Sequence, residues 1–431
     1  MRSRTGLVGL VGLVILVLAA AAGCDSSTPR RSGSPASTQA GHPAGHTATT
    51  TIPANASPKE LRAQFEQLLG HHALLAVRLM RSVVAKAPDL REAADASLRE
   101  NTAALSQLVT TAYGDAQGDR FEQLWQRGVT DLTAYADAVA GNDTSAKQTA
   151  RTALLADSEA YGSWLADASN GRVKLSDAPN AMRTHVDNLM KQLDAYAARD
   201  YDQAYKTERE AYQNSFTAGA ILAKASVTPK AAASLDAAPE QLRSAFAMLL
   251  GEHMELIIDA QRATFAGAPE FKAAAAQVNA NTATLTKAME AIVGPKKAAE
   301  FQTAWANHVE GLLAYSTAVA GKDEAARATA AQNLDGFAAR LALYFSDIVR
   351  NELPVEALTD VLSVHDKHLI EQVNAYAAND YAKAQQMQLE GYQQMLGVAN
   401  TLVGAIQKTV KPGLPVGGSK TGGGGTAQPP R

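Results

Sequence analysis

The sequence predicts an all-α protein, a tandem duplication of an antiparallel helical bundle with about six helices in each copy. Three observations predict it. Alanine is abundant and apolar residues recur at helical spacing, whereas the alternating β-branched pattern of strands is rare. Proline, glycine and Asn/Asp punctuation cuts the chain into segments of helix length. Whole blocks of sequence also return at an offset of 181 residues that shortens to 180.

From the N-terminus, Arg2 and Arg4 precede an apolar run from Leu7 to Ala20, and Ala21-Ala22-Gly23 leads into Cys24. A positive start, a short apolar run and small residues before the cut suit a signal peptidase, so residues 1–23 read as a signal peptide. Cys24 is the only cysteine among 431 residues. Its place resembles the bacterial lipobox, with Ala21 where Leu is usual. The resemblance implies lipidation of Cys24 and a protein held by its lipid on the outer face of the bacterial cytoplasmic membrane. A plain cleaved signal or an uncleaved membrane helix are the alternatives, and the run is short for a span. With no second cysteine there is no intramolecular disulfide, so an exported fold must rest on its core. Residues 24–57, rich in Ser, Thr, Pro, Gly and Ala, read as a disordered stalk, with His42 and His46 as spacer.

Copy one is expected over residues 58–225. Ser57-Pro58-Lys59-Glu60 supplies an N-cap, a proline in the first turn and the acid of a capping box. Pro88, Gly114, Gly141, Gly171 and Arg199-Asp200 then divide the copy. A linker follows at 226–238. Copy two occupies 239–410, divided at Pro269, Gly294-Pro295, Gly321, Pro354 and Asn379-Asp380, and residues 411–431 form a Gly/Pro/Lys tail. The repeat is read directly: Leu68-Leu69-Gly70-His71-His72 returns as Leu249-Leu250-Gly251-Glu252-His253, and Phe121 with Trp125 as Phe301 with Trp305. Each copy has a complete set of core stripes and is expected to fold by itself.

Histidines interrupt those stripes. His72 lies between Phe65, Leu68, Leu75 and Leu79, and His253 holds the matching place in copy two. His308 follows Phe301 and Trp305, where copy one has Gly128. His365 lies between Leu362 and Leu369, matched by His185. Copy one also places Asp157 and Glu208 on stripes, where copy two has Phe337 and Gln388, and the second helix carries Thr102 or Thr282. His71 points off its stripe and is expected in solvent. His368 reads as a partner of His365 or as a surface residue.

All of these lie near mid-helix, and in an antiparallel bundle they share one height. A polar layer across the core is expected, because a buried polar group without a partner costs roughly 1–3 kcal/mol. His253, His308 and His365 form a candidate site for Zn, Cu or haem. His72, His185, Asp157 and Glu208 form a weaker counterpart in copy one. A hydrogen-bonded network that fixes helix register is the alternative, in a cell-envelope structural or interaction protein.

The net charge of −3, with both signs mixed, makes no case for nucleic acid. No Glu-x-x-His pair of di-iron bundles, no His-Glu-x-x-His and no Gly-rich phosphate loop is found, and Ser163 and Ser363 have no base at helical spacing. No catalytic constellation emerges. Partners are therefore expected to be the membrane, through the lipid, and an envelope protein.

The motifs Leu249-Leu250-Gly251-Glu252-His253, Asn279-Ala280-Asn281-Thr282 and Phe301 to His308 resemble a family of secreted bacterial helical-bundle repeats. Some of its members occur in chains labelled as copper amine oxidase N-terminal domain-containing. The resemblance covers about 58–225 and 239–410 and implies no established activity; the copper label belongs to a different domain. Copy one departs from the pattern at Arg99 and Gly128.

Overall fold

The computed structural model describes residues 56–174 and 178–409. The expected signal peptide, Cys24, almost all of the expected stalk and the expected tail lie outside the described residues. Copy one comprises α1 (Pro58–Val84), α2 (Pro88–Tyr113), α3 (Asp115–Ala140), α4 (Thr144–Ala168), α5 (Ala178–Ala197) and α6 (Tyr201–Ser226). A short α7 (Pro229–Leu235) follows. Copy two comprises α8 (Ala238–Ala266), α9 (Phe271–Val293), α10 (Pro295–Gly321), α11 (Glu324–Ile348), α12 (Val355–Ala377) and α13 (Tyr381–Thr409). No strand occurs among the described residues, so the protein is all-α. No described helix is long and apolar enough to cross a membrane.

The breaks fall where the punctuation places them. Ser57 caps α1 through the full capping box, its backbone N–H donating to Glu60 at 2.6 Å and its Oγ accepting from the Glu60 N–H at 3.3 Å. Asp143 and Asp323 cap α4 and α11 at matching positions. Gly114 and Gly294 adopt φ of 90° and 81° between the second and third helices of each copy, a conformation that favours glycine.

Each bundle is organised around its first helix. α1 packs against α2, α3, α5 and α6, and α8 packs in the same way against α9, α10, α12 and α13. Both central helices are therefore buried on every side for part of their length, from Leu69 to Val77 and from Leu249 to Ile258. Asn101 and Asn281 pin the second helix to the first, each donating to the carbonyl of Leu68 or Leu249 at 3.0 Å. Thr102 and Thr282 bond back to the carbonyls of Leu98 and Val278 one turn earlier.

The copies meet through reciprocal contacts of the kind found across a twofold axis. Tyr212 donates to the Met248 carbonyl at 3.2 Å, and Tyr392 to the Gln67 carbonyl at 3.3 Å, positions matched by the repeat. Gly70 and Gly251 make room for them. A Cβ at Gly70 would lie 2.8 Å from the Tyr392 hydroxyl, and one at Gly251 would lie 2.6 Å from that of Tyr212. That explains the glycine in the Leu-Leu-Gly motif of both copies.

One expectation is corrected by this packing, and the border between the copies is closely packed. Copy one keeps apolar clusters of its own, around Phe121 and Trp164 and around Leu132 and Leu189, while its Leu74, Tyr205, Tyr212 and Phe216 join the core of copy two. Buried ion pairs also cross between them: Arg78 with Glu255 at 2.6 Å and Asp259 at 3.1 Å, Arg209 with Glu252 at 2.8 Å, and Arg243 with Glu66 at 2.7 Å. His71 is not in solvent. It is buried and stacks on the Tyr392 ring at 5.0 Å, because the second copy covers that face of α1. α7 packs on α1 and α6, where Leu235 is fully buried in the copy-one core and its carbonyl accepts from Arg62.

Candidate metal centre

Copy two brings its three stripe histidines together. His253 comes from the buried stretch of α8, His308 from α10 one turn after Trp305, and His365 from α12. Their ring centres stand 5.9, 6.1 and 5.7 Å apart, close to an equilateral triangle. One nitrogen of each lies within 4.8 Å of the others, the one such group of three or more His, Cys, Asp or Glu among the described residues. A metal held at about 2.0–2.1 Å by three imidazoles sets their ring centres roughly 5–5.5 Å apart, so a small inward movement closes the triangle on an ion.

The imidazoles are dry, and most of their ring nitrogens make no hydrogen bond. Their exposures are 0, 1 and 2%. Both ring nitrogens of His253, both of His365 and Nδ1 of His308 are buried with no hydrogen-bond partner. Burial holds all three well below the usual histidine range, reinforced at His253 by His365 and at His308 by both neighbours; His365 is lowered to about 3, chiefly by burial. They are therefore neutral near pH 7, the form in which imidazole binds a metal.

Packing fixes the rings. Phe337 of α11 stacks on His308 at 4.2 Å and 16°. Trp305 lies against His253 at 4.7 Å. Behind His308 stands Asp366, with Oδ1 3.4 Å from Nδ1 and both carboxylate oxygens otherwise without partners. Burial, with Asp335 nearby, pushes Asp366 well above the usual carboxylate range.

Copy one shows what the same frame does without the third histidine. His72 and His185 approach to 6.0 Å. Each has a protein partner at Nδ1: Trp125 donates to His72 at 3.3 Å, and Ser215 pairs with His185 at 3.1 Å. At the matched positions, Trp305 Nε1 makes no hydrogen bond and Met395 replaces Ser215. Gly128 leaves a small cavity bordered by His72, Asp157 and His185. Asp157 is engaged by Arg127, with its second oxygen buried and unpartnered. Glu208 lies elsewhere: it pairs with Arg81 at 2.9 Å, and Asp259 and Arg78 act on it from nearby in the charged interface between the copies.

No family model, curated protein or solved structure matches the chain.

Sequence periodicity locates the triad but passes over Asp366. The available signal is a difference between the copies. His365 is followed by Asp and its counterpart His185 by Val186, so the acid accompanies the third histidine. His368 does not join the triad. It is half-buried and faces Gln394 at 3.1 Å and Glu390 at 3.5 Å.

Proposed function

We propose that copy two binds one transition-metal ion through His253, His308 and His365, in a protein anchored by lipid at Cys24 outside the cytoplasmic membrane. The observation that carries the metal reading is a contrast at Nδ1: both copy-one imidazoles have a hydrogen-bond partner there, and none of the three in copy two does. Leaving several buried polar groups unsatisfied costs roughly 1–3 kcal/mol each. Against a typical total stability of about 5–15 kcal/mol, this disfavours a purely structural layer.

Three neutral imidazoles suit Zn²⁺ or a copper ion. A single ion fits better than haem, because a macrocycle between two of these rings would collide with the third. Asp366 stands where it can accept from His308 Nδ1–H, an arrangement that orients the ring and raises its basicity as a ligand. A bound cation also favours the ionised form of Asp366, which burial otherwise disfavours. The chemistry on offer is retention of an ion in a dry site walled by Phe337 and Trp305. The anchor reading rests on Cys24 following the apolar run.

Metal-stripped full-length protein dialysed against Zn²⁺ or Cu²⁺ is expected to retain one ion per chain. His365→Ala is expected to hold the ion far more weakly while keeping its helical circular dichroism. Failure of the parent protein to retain any ion would overturn the proposal.

A further inference from the structure

Copy one contains a cavity of about 330 Å³ that the metal reading does not use. Its walls include Leu69, Trp125, Tyr161, Met182, His185 and Ser215, with Arg172 at its edge. The smaller space left by Gly128 shares Trp125, Tyr161, Met182 and His185 with it. Apolar walls with a few placed polar groups, at the lower end of the usual ligand-pocket volume of about 300–1,000 Å³, are the features of a small-molecule site.

The cavity follows from particular side chains. Copy two has Phe345, Met395 and Val398 where copy one has Leu165, Ser215 and Ala218, and all three pack into the copy-two core. Each exchange makes copy one smaller. Together with His308 against Gly128, they open in one copy the space that the other fills.

The polar groups define what fits. Ser215 donates its proton to the Ala211 carbonyl at 2.9 Å, so its Oγ is left to accept from His185 Nδ1 at 3.1 Å. This tautomer places the lone pair on His185 Nε2, which is buried and has no partner. Burial lowers this imidazole to about 4, so it stays neutral. It asks for a hydrogen-bond donor. Trp125 and Tyr161, with ring centres 6.0 Å apart, offer aromatic faces and edges. Arg172 is held beside the cavity by two bonds to the Ala225 carbonyl, at 2.8 and 2.6 Å, and brings a fixed positive charge.

We propose that copy one is a binding site for a small hydroxylated aromatic carboxylate. Its ring packs among Trp125, Tyr161 and Met182, its hydroxyl donates to His185 Nε2, and its carboxylate lies toward Arg172. The site is independent of the metal centre.

Isothermal titration of the full-length protein with 3-(4-hydroxyphenyl)propanoate tests this. Binding is expected, and at least tenfold weaker binding for 3-phenylpropanoate, which lacks the hydroxyl, and for 3-(4-hydroxyphenyl)propanol, which lacks the charge. The double variant Ser215→Met, Ala218→Val installs the copy-two residues and should abolish binding with unchanged helix content and metal retention. His185→Leu should lower the hydroxylated probe to the level of its deoxy analogue. Absence of binding by the parent protein, or equal binding by the double variant, would overturn the assignment.

Discussion

Tyr212 and Tyr392, which occupy the same position in the two copies, meet with their hydroxyl oxygens 3.3 Å apart. Each also reaches a backbone carbonyl of the other copy's central helix, so two protons serve three contacts. Both hydroxyls are buried in the one place where the copies share a core.

This interface predicts that the halves depend on each other. Removing one partner of a buried ion pair costs about 3–5 kcal/mol, and several such pairs cross between the copies. Fragments 57–226 and 238–409 expressed separately are expected to melt well below the intact chain or not to fold. A chain cleaved after Ser226 is expected to elute as one species. Separate halves that stay monomeric and match the intact chain's melting temperature would contradict this.

Asp366 is expected to support the metal through His308. Asp366→Asn should weaken Zn²⁺ affinity about 10–100-fold, the usual effect of losing a partner behind a ligating imidazole, with little change in helix content. Competition against a chelator of known affinity measures it. Unchanged affinity would remove Asp366 from the site.

Six buried imidazoles set the acid behaviour of the metal-free protein. Burial lowers His72, His253 and His308 well below the usual value of 6.5, His71 and His365 to about 3, and His185 to about 4. The unfolded chain therefore binds more protons than the folded one as pH falls from 6.5 towards 3–4. The contribution of these groups is complete above pH 6.5 and is lost below it. Glu208, pushed up to about 7 by burial, and Glu255 and Asp366, also raised by burial, act in the opposite sense but are fewer. The melting temperature is expected to fall between pH 7 and 4.5. A constant or rising value would show that the carboxyl groups dominate.

Cys24→Ala is expected to abolish lipid labelling and to leave the protein unprocessed or shed. Normal processing with unchanged labelling would contradict the anchor.

The helices were legible because their signals are local. Capping at Ser57, proline and glycine punctuation and the repeat itself mark each one. The triad was legible because three stripes in register share a height. What periodicity could not show is what covers a face. His71 looks like a surface residue on α1 alone, and only the arrival of Tyr392 from the other copy buries it. Glu208 sits on a stripe as Asp157 does, yet α6 turns it toward Arg81 at the interface, away from the histidines. Asp366 lies beside the stripe, where a period-based search does not look.

The central claim is that three imidazoles close on one ion. X-ray absorption of the Zn²⁺-loaded full-length protein tests it most directly. The account predicts nitrogen ligands at about 2.0–2.1 Å with outer-shell scattering from three imidazole rings, reduced to two in His308→Gly. A shell of oxygen ligands without imidazole scattering, or a spectrum unchanged by His308→Gly, would contradict it.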